Sequence, residues 1–537
     1  MNKLFKLLAL SLSLVTLLAA CGGEESASEV QADKNNTNRE ELVLAVGAEP
    51  DGGFDPTTGW GLYGSPLFQS TLLKYDPDFA LEYDLAKNYK ISEDGSIWTV
   101  EIRTDALFSD GEALAAEDVV FTFETAKKSG SIIDLSNLKS VEAIEEHIVQ
   151  FTLNKPQSTF IDLLITTGIV PKHAYDDTYN SNPIGSGPYQ LQQWDKGQQI
   201  IVTANPHYYG EKPVFNKLTF LFLTEDTTFA AAKAGEIDVA SMTTLLVEED
   251  VAGMNLIGLE TVDNRGVMFP FLPAGGETTE GYPIGNDVTA DRAIRQAINI
   301  AIDRQALIDG VLQGFGTPAY SVADQLPWWN EATEFEDARM EEAGSMLDAA
   351  GWIMRDDGVR EKAGLSAEFQ LIYPSGDQVR QSLSMAFADM IASLGIRVVT
   401  RGHSWNEIEK LMFSNPVMMG WGSYTPLEMY YLHSSETQGS GLYNANYYEN
   451  PVVDNYIAQA LNSHSQQESY EYWKLAQWDG KTGFSAQGDA PWAWLVNIKH
   501  FYLINEDLEI GKQKIQPHGH GWPVTDFIEH WHWKEQE

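Results

Sequence analysis

The stretch SEDGSIWTVEIRTDALFSDGEALAAEDVVFTFETAKKSG (92–130) decides the fold class. Asp94-Gly95 is a turn signal. After it Trp98, Val100 and Ile102 alternate with Thr99, Glu101 and Arg103, the period-two pattern of a strand with one buried face. A second turn at Asp110-Gly111 leads to Glu117 and Asp118, acids suited to the positive end of a helix. Val119, Phe123 and Ala126 then recur at i, i+4 and i+7, and Gly130 ends the helix. One short segment thus changes period from strand to helix.

The same alternation continues along the chain. ELVLAVGAEP (41–50) reads as a buried strand through Leu42, Leu44 and Val46. TADRAIRQAINIAIDRQALIDG (289–310) reads as one helix, capped by Thr289, striped by Ile294, Ala297, Ile298, Ala301 and Ile302, and stopped by Gly310. Helical patterns at 341–352 and 382–395 flank a strand at 367–376, and 396–402 is another strand. Strands alternating with helices predict α/β lobes, and no short repeat points to a solenoid or propeller.

Length predicts about two to four domains. With 43% hydrophobic residues, 15 Trp, 22 Tyr and 23 Phe, the chain can build large cores. A formal net charge of −42 argues against nucleic acid and anionic lipid surfaces as partners.

The single cysteine, Cys21, follows Met1, Lys3, Lys6 and an apolar run to Leu18, the plan of a secretory signal, so 1–20 reads as a signal peptide. LAAC (18–21) resembles a bacterial lipobox, which makes Cys21 the lipidated residue and 21–40 a polar tether. An exported mature chain is then anchored to a membrane, facing either the periplasm or the outside of the cell. It keeps no thiol for a disulfide, a zinc ribbon or a nucleophile.

Enzyme motifs are missing. The sequence holds no HExxH and no GxSxG, and the GKT at 480–482 lacks the P-loop glycine because Leu475 stands in its place. The reading from another class, a secreted lipoprotein glycosidase, rests only on chance pairs among 77 acidic residues.

Several separated segments carry a resemblance. They are FDPTTGW (54–60), GSPLFQSTLLKYDPD (64–78) and the block around 84–124. PIGSGPYQLQQWDKGQQIIVTANPHYYG (183–210) contributes Gly185, Gly187, Pro188, Tyr189, Trp194, Asn205, Pro206 and Tyr208. AAAKAGEIDVA (230–240), RQAINIAIDRQALIDGVLQGFGTPA (295–319) and YYENPVVDNYIAQAL (447–461) follow in order. Together the chain resembles the family 5 solute-binding proteins of bacterial ABC importers, the oligopeptide, dipeptide and nickel group.

The resemblance implies a two-lobed periplasmic-binding-protein fold of the large type II, three-subdomain variety, with a hinge and a ligand cleft between lobes. Lobe I takes 41–280 with an extra subdomain at about 63–175, lobe II takes 281–500, and 501–537 returns to lobe I. It further implies a monomer without a cofactor and without catalysis, whose partners are a small ligand and the permease and ATPase subunits of an importer. The leading cargo is an oligopeptide or dipeptide, and the alternative is nickel or another metal chelate.

Cleft residues must choose between them. MMGWGSYTPLEMYYLHSS (418–435) aligns with the region where the family's peptide binders place an aspartate for the ligand's α-amine, and here Trp421, Gly422, Ser423, Tyr424, Thr425 and Pro426 include none. The string is also similar to the W-G-x-x-Y-x-P of nickel-chelate binders, which makes His433 either a ligand or a core histidine. Arg265, in DNRGVMFPF (263–271), pairs either with a ligand carboxylate or with an acid of the other lobe. Trp60, Tyr63, Trp421, Tyr424 and Tyr443 are the aromatic candidates, each either cleft wall or core. In QPHGHGWPVTDFIEHWHWKE (516–535), His518 and His520 form an i, i+2 pair able to face one metal, with His530 and His532 beyond; the bland reading is packing around Trp522, Trp531 and Trp533.

Overall fold

The computed structural model describes residues 39–534 except 245 and 248. The expected signal peptide, Cys21 and nearly all of the expected tether lie outside the described residues. Within 92–130 the strand is Ile97–Ile102, with Trp98, Val100 and Ile102 buried, and the helix is Ala116–Ser129. Asp118 fixes the helix start twice over: one carboxylate oxygen accepts Ala115 N–H at 2.9 Å and the other Lys172 N–H at 2.9 Å. Gly130, at φ 62°, closes it.

This strand lies in a four-stranded antiparallel sheet in the order Ala86–Ile91, Ile97–Ile102, Ile148–Leu153, Leu138–Glu145. The helix seats Val119, Phe123 and Ala126 in the core beneath it, where Phe123 meets Phe151 edge-on at 4.9 Å.

Two larger sheets form the main lobes. The first runs Met254–Leu259, His500–Asn505, Val239–Met242, Glu41–Ala45, Lys217–Leu221, Gln199–Ala204, Tyr189–Asp195. The second runs Gly316–Pro318, Trp492–Ile498, Asn264–Met268, Val417–Met419, Glu368–Pro374, Arg397–His403. The chain passes between them twice, at residues 260–263 and at Lys499. The first passage precedes the 280/281 boundary expected from sequence, because the apolar strand Asn264–Met268 already belongs to the second sheet.

The segment 289–310 is two helices rather than one. Arg292–Ala301 is capped by Asp291, Ile302 turns extended at ψ 133°, and Asp303 caps a second helix, Arg304–Val311, that carries Gly310 within it. Thr289 does not cap; its hydroxyl donates to Pro270 O at 2.8 Å. The break turns Arg304 inward, where its Nε donates to Ala319 O and Trp494 O at 2.9 Å each.

The glycines of GSGPY are needed for contact. A Cβ on Gly185 would stand 2.1 Å from Phe68 O, and one on Gly187 would stand 2.7 Å from Leu67 O. After its strand at 500–505 the chain end packs into the first lobe, with Trp531 fully buried and Trp522 stacked on Phe220 at 4.6 Å.

Candidate ligand cleft

A cavity of about 550 Å³ opens beyond the carboxyl ends of the parallel strands Glu41–Ala45 and Val239–Met242, the edge at which α/β sheets place ligands. Its wall includes Glu49, Trp60, Tyr63, Thr244, His500 and His520. Trp60 is locked there: its indole N–H donates to Pro66 O at 2.7 Å and its ring meets Trp522 at 5.2 Å. Tyr63 faces His520 at 5.3 Å, and burial, with the nearby Glu428 charge, pushes its phenol up to about 12.

The hinge carries an ionic cluster. Arg265 Nη1 donates to Asp263 Oδ1 at 2.5 Å and to Asn264 O at 2.7 Å, while Asp263 Oδ2 lies 3.3 Å from His500 Nε2. Burial pushes the Asp263 carboxyl up, but Arg265, His500 and the nearby His518 outweigh it and hold it well below the carboxylate range. Arg265's ion pair is therefore with an acid two residues away in the crossover, rather than with the opposite lobe. Arg380 pairs with Asp377 and stands close enough for the two guanidiniums to repel. Both Arg265 Nε and Arg380 Nε are buried and lack a protein acceptor.

Trp421 and Tyr443 stand together at 5.8 Å, and Tyr443 stacks on Tyr431 at 4.4 Å. Trp421 N–H donates to Asn264 Oδ1 at 3.0 Å, and its indole N–H is buried without an acceptor. Gly422 permits this approach to the hinge: its φ is 148° and a Cβ would stand 2.2 Å from Val262 O. Tyr424 is apart from the large cavity. It is buried against Phe79 at 5.6 Å, with Lys514 Nζ 4.8 Å from the centre of its ring, in a smaller chamber that also holds the Lys514–Asp526 pair.

The expected metal residues separate. His433 is fully buried, stacked on Phe484 at 3.8 Å, with no hydrogen-bond partner for either nitrogen, and burial pushes it down to about 3. It is a core residue, and its apolar neighbours explain why it offers no lone pair to a cleft. His518 stacks on His520 at 4.8 Å beside Asp263, and burial lowers it to about 4. Among the described residues no three His, Cys, Asp or Glu side chains are grouped to hold a metal ion.

Sequence reasoning missed Arg380, His500, Tyr431 and Glu428. Glu428 Oε1 accepts Gly422 N–H at 3.1 Å, and burial pushes its carboxyl up to about 8. Nothing in TPLEMYY distinguishes it from an ordinary acid in a first helical turn.

The family profile described as "Bacterial extracellular solute-binding proteins, family 5 Middle" matches residues 80–441. Protein XP55 of Streptomyces lividans is 33% identical over 87% of this chain and 85% of its own. The oligopeptide-binding protein AppA of Bacillus subtilis is 26% identical over 94% and 95%. Among solved structures, NikZ of Campylobacter jejuni in complex with Ni(L-His) matches with TM-score 0.73 and 25% identity, over 92% of this chain and 99% of its own.

Proposed function

The chain belongs to the family 5 bacterial extracellular solute-binding proteins, and on that premise we propose that it captures short peptides between its lobes and delivers them to an ABC permease. The observation that carries this reading is the Arg265–Arg380 patch, two largely buried guanidiniums with Nε donors left free beside the hinge. Such donors suit a carboxylate, which accepts from arginine in a charge-assisted geometry. Trp60, Tyr63, Trp421 and Tyr443 supply rings for apolar side chains without selecting one sequence. Closing the lobes excludes water, which strengthens each polar contact to the ligand, while ATP is hydrolysed by other subunits.

The accompanying proposals are an anchor at Cys21 on an exported monomer, and binding without chemistry. Tyr424 is proposed as a strut of the smaller chamber rather than as a ligand contact. The second reading, a metal bound to a carboxylate chelator, is favoured by the same arginines and by the stacked His518 and His520.

Calorimetric titration separates the two. A pool of short peptides should bind and raise stability by about 2.7 kcal/mol at a hundred times Kd. Binding of nickel–histidine with no response to peptides would replace the peptide reading by the chelate one.

A further inference from the structure

We propose, resting on the reading that the large cavity takes a peptide cargo, that the return segment 515–522 is a third strand of the hinge and couples the filling of the cavity to the position of the second lobe. Among the described residues none of 264–497, the body of the second lobe, lines this cavity. A ligand with equal affinity for two forms shifts nothing between them, however tightly it binds. From this cavity, occupancy reaches the second lobe through the parts of the wall that lead there: the crossover at 498–500 and the return segment at 519–523.

The return segment is hydrogen-bonded to both crossovers. Gln516 N–H donates to Glu260 O and Val262 N–H donates to Gln516 O, at 2.9 Å each, which makes it a parallel neighbour of the first crossover. Gln516 Oε1 lies 2.7 Å from His500 Nδ1 of the second and accepts the Tyr502 hydroxyl at 3.3 Å. The crossovers are also bonded to each other, Thr261 Oγ1 donating to Ile498 O at 2.6 Å. Any rotation of one lobe against the other must therefore bend three chains abreast.

The ends of the segment are fixed in different lobes. On one side Ile515 packs against the core of the second lobe and His518 N–H donates to Gly422 O at 2.9 Å. On the other, Trp522 is buried in the core of the first lobe, with its indole N–H on Ala48 O at 3.1 Å. Between these anchors Gly519, His520 and Gly521 form cavity wall, and Gly521 takes φ 67°, a backbone that favours glycine. His520 faces Tyr63 of the first lobe at 5.3 Å and stacks on His518 at 4.8 Å. A ligand seated against His520 thus touches a strap whose far end holds the Gly422 turn, and filling the cavity favours the hinge position that suits both.

The test measures the distance between the lobes. In the full chain with Cys21→Ser, spin labels at Gln192→Cys on the first lobe and Glu409→Cys on the second report that distance by pulsed electron paramagnetic resonance, with and without a pool of random tetrapeptides. The peptides should shorten the distance. His518→Pro, which removes the N–H given to Gly422, should widen the spread of distances without peptide, lose most of the shortening with it, and weaken binding about fivefold or more, the usual size of a coupling between sites. Gln516→Ala, which frees the strap from His500 and Tyr502, should act in the same direction and decides the matter should His518→Pro fail to fold. Variants that keep the wild-type spread and close as fully would overturn the strap and leave the peptide reading standing. Binding of no peptide by the parent protein would overturn the peptide reading, and the peptide-free distances then decide on the strap.

Discussion

Thr425 Oγ1 donates a hydrogen bond to Asp162 Oδ2 at 2.6 Å, joining the lobe of the six-stranded sheet to the four-stranded subdomain. The second oxygen of Asp162 accepts from Tyr75 at 3.2 Å, and Tyr75 accepts from Gln466 of the far lobe at 3.0 Å. Ser158 N–H donating to Leu461 O at 2.7 Å, and Tyr431 donating to Asp134 at 2.7 Å, extend the contact. The lobes are thus latched through small polar groups that an opening motion would release to water.

That latch predicts a pH dependence of closure. Burial raises the Asp162 carboxyl to about 7 in the latched form, whereas an open cleft returns it to the ordinary value near 4. A carboxyl with a raised value favours the form that holds the proton, so its contribution to closure is full below about pH 4 and is lost as pH rises through about 7. The ratio of wild-type to Asp162→Asn affinity should fall across that window, by up to about tenfold per pH unit. A ratio constant from pH 4 to 8 would remove Asp162 from the closure equilibrium.

The two arginines should separate in their effects. Arg380→Gln should weaken peptide binding by about tenfold or more and destabilise the unliganded protein by less than Arg265→Ala does, because its partner Asp377 is 26% exposed. Arg265→Ala removes the partner of the buried Asp263 and should destabilise the unliganded protein by about 3 kcal/mol, with Asp263→Ala in the same chain restoring much of it. Denaturant titrations of the single and double variants measure the coupling.

His433 offers a prediction of opposite sign. Replacing it by Phe removes two buried nitrogens without partners, so His433→Phe should match or exceed wild-type stability by about 1 kcal/mol, with ligand and nickel responses unchanged. Its value is lowered to about 3, so the wild-type residue is stabilising only while neutral. As pH falls from about 6.5 toward 3, wild type should lose stability relative to His433→Phe. Urea midpoints at pH 7 and pH 5 read both effects.

Gly422→Ala should destabilise by about 2 kcal/mol or more, because a left-handed backbone and the carbonyl of Val262 both oppose a Cβ there. The loss should appear also in ligand affinity, since the same turn orders Glu428 and Trp421 against the hinge. Unchanged binding by a folded Gly422→Ala protein would show that the turn is not part of the site.

Local patterns were readable. The strand at 97–102, the helix at 116–129 and the aromatic packing of Trp522 and Trp531 all follow from periodicity and burial of large apolar groups. The helix break at Ile302 was not, because the apolar stripe runs through it and Asp303 signals a cap only once Arg304 is known to turn inward. His433 and Glu428 carry no sequence signal that separates a core histidine from a ligand or a buried carboxylate from a surface one. Asp162 and Thr425 are paired only by tertiary structure, since each is an ordinary polar residue in its own segment.

The most direct test of the central claim is native mass spectrometry of the protein as purified from cells, comparing the intact complex with the chain after denaturation. The released masses should form a family of short peptides of mixed sequence. A single adduct with a nickel isotope pattern, or a protein that neither carries nor takes up peptides, would contradict it.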